Sequence, residues 1–155
     1  MKAIVDFANR FNARLSLDID LTLAKEGRYF LVNESLKPLI RKDFFYAGAY
    51  IGKVKNRIFF PSFILLTMIA EIKANKIVVD DKSAWLFIVG RDVFKRGILK
   101  AAGARRRGAY TLILNRRNEC LGFGRILRNL DEAAGESAVM IKNIADIGDF
   151  LRRER

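Results

Sequence analysis

The chain has 155 residues, 51% of them apolar, a formal charge of +12 and a pI near 10.2. That length allows one domain or two small ones, and the apolar share excludes global disorder. One cysteine and no histidine exclude an intrachain disulfide, Cys/His zinc sites and Ser-His or Cys-His nucleophiles, and point to a reducing, cytoplasmic setting.

In chain order, MKAIVDFANRFNARL places Ile4, Phe7, Ala8 and Phe11 at helical spacing, which predicts an amphipathic helix. Its charges and lack of an apolar core region do not fit a signal peptide. LSLDIDLTLA (15–24) alternates, with Leu15, Leu17, Ile19, Leu21 and Leu23 on one face, and predicts a half-buried strand. Glu26-Gly27 is a turn, and 28–33 the returning strand of a hairpin. NESLKPLIRK suggests a short helix capped by Asn33 or Ser35 and disturbed at Pro38. Residues 44–60 read as strand and turn. The apolar run 58–70 is too short for a bilayer span, which needs roughly 20 residues. It reads as a buried helix over 61–72, with Pro61 in its first turn and Ser62 behind it. A polar joint at 73–76 sets the expected domain boundary, giving an N-terminal domain over 1–74 and a second over 75–155.

Beyond the joint, KIVV (76–79) is a strand and 80–90 a short helix, with Asp80 or Asp81 as N-cap and Gly90 as the stop. Residues 92–101, 109–115 and 119–127 read as strands, followed by a strand at 139–142 and a helix from about Asp146. The fold class expected is α+β, a mixed α/β domain followed by a compact β-barrel.

Charge is concentrated. Between Arg91 and Arg128 eleven Lys/Arg face two acids, a net of +9, while 76–90 are neutral, 129–155 carry −2 and 1–75 carry +5. Such clustering favours an anion-binding surface over mere solubility.

The run KIVVDDKSAWLFIVGRDVFKRGIL followed by AYTLILNRRNECLGFGRIL resembles the PUA domain of pseudouridine synthases and archaeosine transglycosylases. With YFLVNESLKPLI, YAGAYIGKV, FFPSFILLTMI and ADIGDFLRRE, residues 25–155 look like the Nip-seven family of ribosome-biogenesis factors, and small size and basicity suit an archaeal member. The resemblance implies an N-terminal α/β domain and a C-terminal PUA pseudo-barrel that binds RNA. It implies no enzymatic activity and no cofactor, and a role on large-subunit pre-ribosomal RNA. Ribosome-assembly proteins would be met through the N-terminal domain. Relatives carry basic residues on the late strand, whereas SAVMIKNIADIG here keeps only Lys142. RNA contact there is expected to weaken or to shift to the arginine-rich loops.

In PUA relatives the turn matching GRDVFKRGILK meets RNA, so Gly90, Arg91, Lys95, Arg96 and Lys100 head the candidates, and Gly97 would admit close backbone approach. Arg105, Arg106, Arg107 and Arg116 lie at the two ends of one strand, and Arg125 on the next. Lys142, Arg152 and Arg153 complete the set, although Arg153 can pair with Asp149 one turn earlier. GFGR (122–125) falls short of GxGxxG or a P-loop and reads as a barrel strand with glycines for close approach. Asp18 and Asp20 share a strand face without a third ligand, so no metal is expected. Trp85 and Phe87 fit packing better than base stacking, while Phe44, Phe45 and Tyr46 are either core or an exposed patch. Two other readings stay open: an RNA-modifying enzyme or its accessory subunit, and a protein-only assembly adaptor.

Overall fold

The computed structural model describes the backbone of residues 1–153 and the side chains through Arg152. Helix α1 (Lys2–Asn9) buries Ile4, Phe7 and Ala8, the stripe its spacing prescribes. It ends at Arg10, and Asn12 adopts a left-handed turn (φ 55°) that leaves Phe11 fully buried beyond the helix.

Strand β1 (Thr22–Lys25) is much shorter than the alternation over 15–24 predicts. The Asp18 carboxylate accepts from the Asp20 amide at 2.7 Å, and Thr22 Oγ1 donates to the Asp18 carbonyl at 2.6 Å. This local turn competes with a strand ladder. Ile19 is consequently 76% exposed, while Leu15 and Leu17 still pack on the core. Asp18 and Asp20 therefore build a turn rather than share a strand face.

Strands β2 (Arg28–Leu31), β3 (Ala49–Lys55) and β4 (Ile58–Pro61) complete a four-stranded antiparallel sheet in chain order. The helix expected after Asn33 is only a 3-10 turn at Lys37–Leu39, with Asn33 Oδ1 accepting from the Leu36 amide at 2.7 Å. Pro61 also departs from expectation. It closes β4 opposite Gly52, and Ser62 is the N-cap of α2 (Phe63–Glu71), its hydroxyl accepting from the Leu65 amide at 3.2 Å.

The second half runs β5 (Lys76–Val79), α3 (Asp81–Ile88), β6 (Val93–Phe94), β7 (Ile98–Ala102), β8 (Tyr110–Leu114), β9 (Cys120–Ile126), β10 (Val139–Asp146) and α4 (Ile147–Arg153). These strands form a six-stranded sheet ordered β6-β10-β9-β8-β5-β7, with β5 and β8 parallel. Its two edge strands, β6 and β7, are consecutive in sequence and joined by a single 3-10 turn, Lys95–Gly97. Edges tied that closely must curl the sheet onto itself, which makes the pseudo-barrel. The strand expected over 92–101 breaks at this turn. Gly97 is buried against α3, where any Cβ would clash with Ser83 Oγ, so it serves packing rather than an approaching ligand.

Alternate residues of β8 serve two cores, as the pleat requires. Ile113 joins Ile77, Val79, Phe87 and Ile141 inside the barrel. Leu112 and Leu114 join Phe123, Ala145 and Phe150 on the other face, in one cluster with Ile4, Phe7, Phe11, Ile51, Leu65 and Leu66. Aromatic edges lock this seam: Phe123 lies 5.7 Å from both Phe7 and Phe11, with Tyr110 6.1 Å from Phe11. Such pairs add roughly 0.5–1.5 kcal/mol each beyond their buried area. Cys120 sits in the same cluster, and burial pushes its thiol up to about 11.

Candidate nucleic-acid interface

Asn75, 1% exposed, ties the seam together. Its Oδ1 accepts from Asn12 Nδ2 at 3.1 Å and from the Ala104 amide at 2.8 Å, and its Nδ2 donates to the Tyr110 carbonyl at 2.9 Å. Its backbone amide donates to the Phe11 carbonyl at 2.7 Å, and its carbonyl accepts from the Leu112 amide at 3.0 Å. One buried amide thus holds the chain after α1, the loop before β8 and β8 itself in fixed register.

Directly above this staple lies an open cleft of about 510 Å³, lined by Arg10, Arg106, Arg107 and Tyr110 with Asn9 and Asn12. The Arg10 guanidinium stands 5.6 Å from the Tyr110 ring centroid. Tyr110 is the cross-strand partner of Arg125, whose other neighbour on β10 is Lys142. Arg125 Nε donates to the Gly108 carbonyl at 3.3 Å, which draws it beside the Arg106–Arg107 loop. Cations directly opposite one another destabilise a sheet by a few tenths to about 1 kcal/mol. Asp92 relieves this at Lys142 (3.2 Å), but Arg10, Arg106, Arg107 and Arg125 have no carboxylate partner among the described residues.

The turn ranked first from sequence is arranged differently. Helix α3 ends with Gly90 at φ +91°, its amide donating to the Phe87 carbonyl and the Arg91 amide to the Leu86 carbonyl, both at 3.0 Å. This Schellman ending explains the glycine without any ligand. Arg91 is exposed. Lys95 Nζ donates to the Ala134 carbonyl at 2.8 Å, Arg96 stacks 5.7 Å over Phe94, and Arg105 pairs with Asp131 at 2.7 Å. Lys95, Arg96, Lys100 and Arg105 do share one concavity of about 340 Å³, but Glu136 lines it too. Lys142 is held by Asp92, which also accepts from the Asn143 amide at 2.9 Å.

The remaining candidates are scattered. Arg116 sits in the turn after β8, one strand length (about 16 Å) from the Arg105–Arg107 loop, and faces Asp81 at 3.6 Å. Asp149 takes Arg152 at 2.6 Å. The Arg153 side chain, expected to make that pair, lies outside the described residues. Trp85 stands 61% exposed on α3, contrary to the packing expected of it, while Phe87 is fully buried. Phe45 and Tyr46 are exposed at 77% and 58%, which resolves the choice between core and patch for both. A larger groove of about 740 Å³ over the first sheet takes in Phe30, Tyr46, Tyr50, Phe60, Ile64 and Leu151, with Arg28, Lys53 and Lys55.

GFGR is a barrel strand. A Cβ on Gly122 would strike the Ala145 carbonyl oxygen, and one on Gly124 would come within 2.6 Å of Ile141 and the Lys142 carbonyl. Strand β10 bulges where it passes, between Asn143 and Ala145. The glycines serve this close approach, not a phosphate. Arg10 and Tyr110 were missed in the sequence because helical spacing marks Arg10 only as solvated, and nothing local places it over a ring 100 positions later. Among the described residues no three His, Cys, Asp or Glu side chains gather as a metal site, and no helix is long and apolar enough to cross a membrane.

Residues 75–155 match the UPF0113 PUA domain family. A UPF0113 protein of Archaeoglobus fulgidus is 31% identical over 115 residues, covering 71% of this chain and 63% of that protein. The chain therefore spans less than two thirds of that relative. A conserved PUA-domain protein from Thermoplasma acidophilum superposes with a TM-score of 0.62 at 19% identity, covering 99% of this chain and 92% of the other. A PUA-domain protein of Aeropyrum pernix K1, solved as a tartrate complex, gives 0.56 at 10% identity over 98% and 85%. At these identities the likeness to the two structures is one of fold. The family match takes in just over half of the chain, and the protein belongs to the UPF0113 PUA-domain family.

Proposed function

We propose that this protein is a non-catalytic RNA-binding factor of large-subunit ribosome assembly, as its resemblance to the Nip-seven family implies. The observation that carries the RNA-binding part is the concentration of basic side chains on one end of the PUA sheet, many without a counter-charge. Four arginines with no acidic partner form a surface that repels itself until an anion arrives. Guanidinium forks match phosphate oxygens two at a time, and an extended polyanion can satisfy several at once. PUA domains take their name from RNA-modifying enzymes, which supports RNA as that polyanion. The ribosomal setting rests on the sequence resemblance, with the aromatic groove over β1–β4 available to an assembly protein.

The test is direct binding of labelled single-stranded and structured ribosomal RNA across a salt series. Affinity should fall linearly on a log-log plot, with a slope of roughly 0.7 per phosphate neutralised on single strands. Absence of binding at low salt would end the reading. Turnover of an RNA substrate by the pure protein would replace it with the modifying-enzyme reading.

A further inference from the structure

We propose that the cleft between α1 and the start of β8 is a composite phosphodiester-binding site, in which the N-terminal half contributes Arg10 to the RNA surface of the PUA half. The inference rests on the RNA-binding reading and adds to it a location and a requirement for both halves of the chain.

Position comes first. Arg10 follows the last turn of α1, and its guanidinium lies 5.6 Å from the Tyr110 ring, on the sheet row that continues to Arg125. Arg106 and Arg107 also line the cleft, and Arg125 lies beside it, its Nε donating to the carbonyl of the lining residue Gly108. Side chains from both halves of the chain thus meet at one cleft, with Arg10, Arg106 and Arg107 in its lining and Arg125 beside it.

Counter-charge comes second. No Asp or Glu lines this cleft, whereas the neighbouring concavity at Lys95 and Arg105 includes Glu136 and has Asp131 bound to Arg105. Rigidity comes third. The loop carrying Arg106 and Arg107 is pinned at both shoulders, the Ala104 amide on Asn75 at 2.8 Å and the Arg107 amide on Asn129 Oδ1 at 2.7 Å. A fixed loop binds without first having to order itself, which lowers the entropic cost of association.

The ligand chemistry follows from these features. All four cations are arginines, the residue suited to bidentate phosphate contact. The cleft is an open trough of about 510 Å³, shaped to pass a strand along rather than enclose a small anion. A single-stranded RNA backbone running from the Arg106–Arg107 loop across Tyr110 to Arg10 meets these conditions.

The test uses the full chain, a fluorescent twelve-nucleotide oligouridylate, and anisotropy at 50–200 mM salt. Arg10→Ala and Arg106→Ala/Arg107→Ala should each bind several-fold more weakly at 50 mM. Their salt slopes should be shallower by roughly 0.7 per lost contact, so the gap to wild type narrows about 2.6-fold per contact over that range. Arg10→Lys keeps the charge but not the fork and should recover only part of the affinity. Thermal unfolding of each variant separates lost binding from lost folding, and Arg10→Ala is expected to melt with wild type. Binding unchanged in both Ala variants but abolished by Arg91→Ala/Lys95→Ala/Arg96→Ala would overturn this site and leave the RNA-binding reading standing. No binding by wild type at 50 mM would overturn that reading itself. Displacement of the RNA by polyglutamate as readily as by unlabelled RNA would overturn the phosphodiester assignment.

Discussion

The 90–105 turn and the α1–β8 cleft are both basic, the first within the PUA half and the second shared between it and the N-terminal half, yet they spend their charge differently. At the turn, Lys95 is tied to the Ala134 carbonyl, Arg105 to Asp131, and the adjacent Lys142 to Asp92. At the cleft, Arg10, Arg106 and Arg107 meet no carboxylate among the described residues, and the loop is held through its backbone amides by the Asn75 and Asn129 side chains. Net charge along a sequence counts both regions equally. What a cation can offer an incoming ligand is only the part not already engaged. At the turn Arg91, Arg96 and Lys100 make no ion pair among the described residues, but Arg96 and Lys100 share a concavity with Glu136, whereas no Asp or Glu lines the cleft.

The harshest way to break this contrast is to remove the staple. Asn75→Leu leaves Asn12, the Ala104 amide and the Tyr110 carbonyl without their partner. At roughly 1–3 kcal/mol for a buried group left unpaired, the loss should be about 3 kcal/mol, read as a lower urea midpoint, with RNA affinity falling as the cleft loosens. Charge reversal comes next. Arg106→Glu/Arg107→Glu should cost roughly tenfold or more in RNA affinity at low salt, whereas Lys95→Ala should cost about twofold, because Lys95 is already engaged. Equal losses would erase the distinction between the regions.

A gain sharpens it further. Asp131→Ala frees Arg105 from its pair, and RNA affinity should rise about two- to threefold. The exposed pair itself contributes at most about 1 kcal/mol of stability, so the fold should be nearly unaffected. The smallest effect concerns the floor of the seam. Burial raises the Cys120 thiol from 9.0 to about 11. The protonated form is thus favoured in the folded state, so this contribution is complete below pH 9 and declines as pH rises from 9 toward 11. Native protein at pH 8 should accordingly be inert to a thiol reagent that labels the urea-unfolded chain at once.

Much of this architecture was legible in the residues. Asp80 caps α3 through the Ser83 amide at 2.7 Å, Gly90 ends it, and GFGR is a strand crowded by its neighbour. These are local signals, and local physics fixes them. The failures share a cause as well. Alternation over 15–24 was overridden by the Asp18 turn, which offers its own hydrogen bonds. Pro61 suits a helix start but also suits the end of an edge strand, and pairing with Gly52 decided for the strand. For the site, charge clustering over 91–128 takes in Arg106, Arg107 and Arg125 but not Arg10. It could not show that Lys95 and Arg105 would be engaged internally, nor that Arg10 would arrive from the other half, since both depend on contacts between segments distant in sequence.

The most direct measurement is ultraviolet crosslinking of bound RNA followed by peptide mapping on the intact protein. The account predicts adducts both on the segment around residues 9–12 and on that around 105–110, including Tyr110, in a single population of complexes. Adducts confined to residues 91–100, or to the groove over the first sheet around Tyr46 and Tyr50, would contradict it.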